Sequence, residues 1–319
     1  MQSFKISIFS LIFVLVILLS AIHYRVEIKN TIILDIANGS STSSIATSLH
    51  ENKIIFNPTI FKIYVRLSSN DHKFKAGEYK FKSTQSIHSI VDKLTKGDFF
   101  YRKLTLLPGS TISNILKLGN SEGLFNDLEN DPENLLKKYG INLQEGIFFP
   151  DTFFYLKGEN FSSILLKSNE KWKKISKELW SNRNLNLPLK NLNEAVTLAS
   201  IIEKEGIEKR KIAGVFINRL NKDMKLQSDP TVIYALGNEF DGNLTRKNLQ
   251  IDNPYNTYRY KGLPPGPISI VSYDSLEAAL NPLLTDYLYF VSMGNGFHKF
   301  SKTLTEHNEA VLKYQINGR

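Results

Sequence analysis

The chain has 319 residues, 42% of them hydrophobic and 22% charged, and no cysteine. That length allows a membrane segment plus one small and one larger domain, and the lack of cysteine excludes disulfides, thiol nucleophiles, Cys-bound zinc and a lipidated N-terminal Cys. Lys and Arg number 40 against 31 Asp and Glu, a net charge of +9, but the basic residues are scattered with no Arg-rich stripe among aromatics, so nucleic acid is set aside as a partner and solvated charge is the plainer reading.

The run Ile6 to Ile22 (ISIFSLIFVLVILLSAI) is free of charge. As a helix at ~1.5 Å per residue it is roughly 25 Å long, just enough to span a bilayer. Lys5 precedes it, Arg25 and Lys29 follow, and Ser20, Ile22 and Tyr24 make no small-x-small cleavage site. Residues 1–25 therefore read as a cytoplasmic tip and an uncleaved single-pass anchor in the cytoplasmic (inner) membrane, with the body extracytoplasmic.

Residues 26–99 read as a small α+β domain. Val26 to Ile36 is extended and rich in Val and Ile, and Ser41 to Glu51 is helical behind a Ser/Thr cluster. Pro58 to Leu67 fits either helix or strand, while Phe74 to Phe81 alternates around Gly77 as a short strand. Ile87, Ile90, Val91 and Leu94 line one face of a helix from Ile87 to Lys96, with Gly97 placed to end it.

A compositional shift near Phe99 opens a larger α+β domain over 100–319. Leu104 to Leu107 is extended, Ser110 or Thr111 can cap a helix through Leu118, and the Asn-rich stretch Asn120 to Asn134 reads as loops with a short helix. Phe161 to Leu179 has helical spacing. Asn193 to Glu205 is apolar around most of its circumference, as a buried helix is, and Gly206 offers a stop before a second helix lined by Ile212, Val215, Phe216 and Leu220. Tyr287 to Ser292 reads as an inner strand, joined through Met293 to Phe297 to an extended piece, His298 to Ser301.

The chemistry points to the end of the buried helix, where Glu203 and Glu205 follow an apolar run. Burial and the negative end of a helix dipole both disfavour a charged carboxylate, so a raised pKa is expected there. A carboxyl that stays protonated near neutrality can donate its proton to a departing sugar oxygen. The plainer alternative is a solvated or ion-paired end residue, with Lys204 or Lys209 as partner. Position on the helix does not choose between the two acids: Glu203 sits beside Ala199 and Val196, Glu205 beside Leu198 and Ile201.

Several other patterns lead nowhere. Ser168 to Lys171 is a Ser-x-x-Lys without the motifs that accompany it in penicillin-binding enzymes. Gly294-Asn-Gly296 lacks a third nucleotide-binding glycine and reads as a hairpin turn. His298 and His307 have no clustered third ligand, so no metal and no cofactor is expected.

The sequence resembles the endolytic murein transglycosylases of the MltG or YceG-like family. The resemblance is carried by EGIFFPDTFFY (Glu145 to Tyr155), LASIIEKE (Leu198 to Glu205), VFINRL (Val215 to Leu220) and LQSDPTVIYALG (Leu226 to Gly237). It continues through NPYNTY (Asn253 to Tyr258), GLPPGPIS (Gly262 to Ser269), and YLYFVS followed by HKFS and HN, ending at Asn308. These pieces cover roughly residues 100 to 310. The N-terminal part, with AGEY at Ala76 to Tyr79, is similar to the family's small LysM-like domain. One departure is Pro108-Gly109-Ser110, where the family has Pro-Glu-Gly.

The resemblance implies a lytic transglycosylase that cleaves the bond between N-acetylmuramic acid and N-acetylglucosamine within nascent peptidoglycan strands, leaving 1,6-anhydromuramic ends and ending elongation. It gives the acid/base role to Glu203. Tyr234, Tyr255, Asn256 and Tyr258 are candidates to stack on sugars and bond N-acetyl groups, with Gln227, Ser228 and Asp229 steadying the cleft. The expected partners are peptidoglycan strands, the membrane and, as candidates, peptidoglycan synthases. A muramidase with Asp151 or Asp229 as second carboxylate, and a non-catalytic wall-binding or division scaffold, are the rival readings.

Overall fold

The computed structural model describes residues 2–70 and 73–316, except for the side chains of residues 2–8, 11 and 316. It is a mixed α+β chain that divides into two compact units, residues 1–102 with 154–159, and residues 103–153 with 160–319.

The first unit opens with α1 (Gln2–His23). The anchor expectation, Ile6 to Ile22, falls partly on residues whose side chains lie outside those described, and among the described residues no helix is long and apolar enough to cross a membrane. Strand β1 (Val26–Ile36) follows, then α2 (Thr42–Glu51), α3 (Pro58–Leu67), β2 (Gly77–Gln85) and α4 (Ile87–Lys96). β1 and β2 pair antiparallel, from Ile36 opposite Gly77 to Val26 opposite Gln85, with a register shift between Ile28 and Ile32.

The helix ends follow from local chemistry. Ser41 caps α2 by accepting the Ser44 amide. Pro58 to Leu67, open between helix and strand by pattern, is a helix because the Asn57 side chain accepts the Thr59 and Ile60 amides at 2.8 and 3.2 Å and Pro58 presets the first turn. Ser86 and Ser89 form a reciprocal box at the start of α4, and Gly97, at φ 74°, ends it in the left-handed conformation. The faces so presented bury Leu49, Phe61, Val65, Tyr79, Phe81, Ile90 and Leu94 in one core.

The second unit contains most of β3 (Arg102–Thr105), α5 (Ile112–Leu116), α6 (Pro132–Lys138), part of β4 (Thr152–Tyr155), α7 (Phe161–Ser181), α8 (Leu192–Glu205) and α9 (Lys209–Asn221). It continues with α10 (Asp229–Leu236), α11 (Tyr273–Leu280), the hairpin β5 (Tyr289–Ser292) and β6 (His298–Ser301), and α12 (Leu304–Val311). Thr111 caps α5, which ends at Leu116 rather than Leu118 because the chain tightens into a 3-10 turn over Lys117–Asn120.

α8 is the centre of this unit. Asn191 caps it through the Glu194 amide at 2.9 Å, and every residue from Ala195 to Ile202 is buried. It packs on α9 and α11, and α9 in turn lies against the chain that follows α11, where a methyl group on Gly214 would sit 2.4 Å from the Leu283 carbonyl oxygen. A helix wrapped on all sides brings only its last turn, Glu203 to Glu205, to an edge where polar chemistry is possible.

Candidate active site

Glu203 and Glu205 meet different surroundings at that edge. Glu203 is 8% exposed and is ion-paired to Lys209 at 2.9 Å. Its second oxygen accepts the Ser272 amide at 2.8 Å and the Ser272 hydroxyl at 2.5 Å. Burial works to raise its pKa, but the Ser272 and Lys209 bonds outweigh burial and hold the carboxylate below the ordinary range. Ser272 is the cap of α11, so this ionised group ties α8, α9 and α11 together.

Among the described residues no cation is ion-paired or hydrogen-bonded to Glu205. Its Oε1 accepts the Ser228 hydroxyl at 2.5 Å. Burial drives its pKa up to about 7; the Ser228 bond and the more distant Arg219 charge oppose this, and the Asp229 charge adds to it. Glu205 also borders a cavity of about 760 Å³, whereas Glu203 does not. The raised pKa expected at this helix end is met at Glu205, while at Glu203 the Ser272 and Lys209 bonds offset it. The reason is tertiary: Lys209, the ion-pair partner entertained for either acid, reaches only Glu203.

One wall of the cavity is the segment after α9. Gln227, Asp229 and Tyr258 line it with Glu205. Gln227 adopts a left-handed φ of 50°, and its amide donates to the Thr257 carbonyl at 3.1 Å. Ser228, 1% exposed, is held through its amide to the Thr257 hydroxyl at 3.0 Å, which aims its own hydroxyl at Glu205. Tyr258 donates to Asp229 at 2.5 Å; burial first, then that bond, push the phenol above its ordinary range.

The opposite wall is the β5–β6 hairpin and α12. The His298 ring lies against Gly206, where a methyl group would sit 2.7 Å from Cε1, and its amide donates to Glu208 at 2.7 Å. His307 stacks on Tyr289 at 5.2 Å. Among the described residues no group of three or more His, Asp and Glu is arranged to hold a metal ion.

Four further expected residues lie elsewhere. Tyr234 and Tyr255 pack on one another at 4.9 Å beside Glu145, away from the cavity lining. Asn256 is fully buried and its amide donates to the Leu249 and Ile251 carbonyls, a loop-holding task. Asp151 pairs with Lys171. Glu145 was not singled out by sequence; its two oxygens accept the Ile112 amide at 3.1 and 3.0 Å, and burial raises it to about 7. Arg219 is another, on the cavity wall. Its signal was present: with Ile212, Val215 and Phe216 it falls on the apolar face of α9 at helical spacing, where a charged residue needs a reason.

A half-buried carboxyl whose pKa burial raises to about 7, set beside a cavity of this size, suits acid/base chemistry. The chain belongs to the YceG-like family, whose family model matches residues 34–313. A relative from Bacillus subtilis, named endolytic murein transglycosylase, is 35% identical over 311 residues, spanning 90% of this chain and 85% of the relative. A Streptococcus pneumoniae relative of the same name is 28% identical over 91% of this chain, and the match spans 59% of that longer protein. A crystal structure of a yceG-like protein from Listeria monocytogenes is 34% identical with a TM-score of 0.52, covering 89% of this chain and all of that one.

Proposed function

We propose that this chain is an endolytic murein transglycosylase that cuts peptidoglycan glycan strands with Glu205 as its acid/base. The observation that carries the reading is Glu205 itself, bonded to Ser228 and to no cation among the described residues, raised by burial to about 7 and bordering the cavity. Family membership and the names of the relatives supply the substrate.

Protonated Glu205 gives its proton to the oxygen joining N-acetylmuramic acid to N-acetylglucosamine, and the bond to the muramic C1 breaks with oxocarbenium character. The muramic 6-hydroxyl then bonds to C1, and the ionised Glu205 takes its proton, leaving a 1,6-anhydro end and a restored acid. One carboxyl serves both steps, whereas hydrolysis needs a second group about 5–9.5 Å away. Ser228 steadies Glu205; Gln227, Asp229 and Tyr258 are the cavity residues available to the sugars, and Tyr234, Tyr255 and Asn256 support the wall. Glu203 keeps α8, α9 and α11 in register. Cleavage within nascent strands would end their elongation beside the synthases that make them.

The same reading places the body outside the cytoplasmic membrane on a single anchor. Support comes from α1, where Phe9, Phe13, Val14, Val16 and Ile17 are all more than half exposed on one helix, an arrangement costly in water. The small βααβα unit behind it is read as the LysM-like domain and the second unit as the catalytic domain. A second reading, a muramidase, draws on Asp229 in the same cavity. Incubation of the protein with peptidoglycan tests all of this: anhydromuramic products by mass support the transglycosylase, reducing muramic ends favour the muramidase, and no soluble fragment favours a non-catalytic scaffold.

A further inference from the structure

Arg219 is 6% exposed, yet every hydrogen bond it makes among the described residues goes to a main-chain carbonyl. Nε donates to Leu288 at 2.7 Å. Nη1 donates to Leu226 at 2.7 Å and to Lys225 at 3.4 Å, and the guanidinium lies over the Tyr289 ring at 5.2 Å. Burying a full positive charge without an ion pair is expensive, and burial lowers its pKa. The expense is met at one place: the wall of the cavity that also holds Glu205.

Its contacts explain what it does there. The carbonyls of Lys225 and Leu226 are held by Arg219, and the amides of Gln227 and Ser228 are held by Thr257. Between these two clamps sits the left-handed Gln227, a conformation that costs on the order of 1 kcal/mol or more and persists only when its surroundings enforce it. The product of the clamps is the Ser228 hydroxyl on Glu205. The third carbonyl, Leu288, leads directly into β5 on the opposite wall, so one guanidinium spans both sides of the cavity.

We infer that Arg219 is a positioning residue of the site: its planar fork fixes the Leu226–Ser228 segment that delivers Ser228 to Glu205, and holds a fixed positive charge on the cavity wall that Glu205 also lines. Lysine carries the same charge but lacks the fork, so the two parts separate by mutation. The inference rests on Glu205 being the acid/base.

The experiment compares wild type, Arg219→Gln and Arg219→Lys in full-length protein, by the pH dependence of glycan cleavage and by a carboxyl-carbon NMR titration of Glu205, which needs no activity. In Arg219→Gln the missing cation stabilises the carboxylate less, so the Glu205 titration and the alkaline limb of kcat both move to higher pH, and kcat falls by about 10²-fold with KM little changed, the scale of a small misplacement. Arg219→Lys keeps the titration near wild type while losing a similar part of kcat. An unmoved Glu205 titration in a folded Arg219→Gln protein, or Arg219→Lys with wild-type kcat, overturns the inference. Wild-type protein with no cleavage, but with the expected titration shift in Arg219→Gln, would instead count against the proposed function alone.

Discussion

Glu203 and Glu205 are two positions apart on α8, and among the described residues only the first is ion-paired: Lys209 lies 2.9 Å from Glu203, while Glu205 is met by the Ser228 hydroxyl at 2.5 Å. Two residues along a helix are about 200° apart around its axis, so adjacent acids of one motif face opposite sides. One side is closed by α9 and α11, the other by the cavity. The same helix end thus carries an ion-paired carboxylate and one whose pKa burial raises to about 7.

Glu203→Gln is expected to act on stability. It keeps the shape but removes the charge that Lys209 and Ser272 serve, leaving a half-buried ammonium short of its partner, at a cost of about 1–3 kcal/mol. Urea denaturation measures this, and cleavage by the folded protein should stay within about tenfold of wild type, below 1.4 kcal/mol in barrier.

The pH profile should carry the signature of Glu205. Its acid form is required, so cleavage falls as pH rises through about 7. Ser228→Ala removes a bond that favours the ionised form, so the alkaline limb should move upward. Initial rates of fragment release across pH 5 to 9, about two units either side of the group, measure both.

Stability should depend on pH in the opposite sense to that of salt-bridged acids. Glu205 and Glu145 rise from 4.5 to about 7 on folding, so over that window the folded chain retains protons that the unfolded chain has lost. Stability therefore falls as pH rises from about 4.5 to 7 and levels off above it. Urea midpoints of wild type and Glu145→Gln across this range test it; the variant should show the shallower slope.

Two glycines are set by close approach. Gly206→Ala places a methyl group 2.7 Å from the His298 ring, pushing the hairpin away from Glu205; it should lower kcat and cost about 1–3 kcal/mol. Gly214→Ala meets the Leu283 carbonyl at 2.4 Å and should cost at least as much, because main chain yields less readily than a side chain. Thermal unfolding and cleavage rates separate the two effects.

Helices with their own signals were legible: α4 shows its apolar face and its Gly97 end in the bare sequence, while the Ser86–Ser89 box at its start emerges only in the structure. α10, α11 and α12, eight residues each, were not singled out; their starts at Ser228, Ser272 and Thr303 look like any turn until packing surrounds them. The acid was legible to one turn of one helix, and the family resemblance also named Gln227, Asp229 and Tyr258, which line the cavity, and Ser228, which meets Glu205. Choosing between the turn's two acids required Lys209, six residues on, and Ser272, 69 residues on, to be brought to one of them and withheld from the other. The same limit applies to Tyr255 and Asn256, whose types suit sugar binding but whose places are a ring pair and a loop brace.

The most direct measurement is the release of glycan fragments from peptidoglycan by folded Glu205→Gln and Glu203→Gln proteins side by side, with products weighed by mass spectrometry. Glu205→Gln should release none, and Glu203→Gln should release the anhydromuramic fragments of wild type. Cleavage by Glu205→Gln together with an inert, well-folded Glu203→Gln would contradict the assignment of the acid.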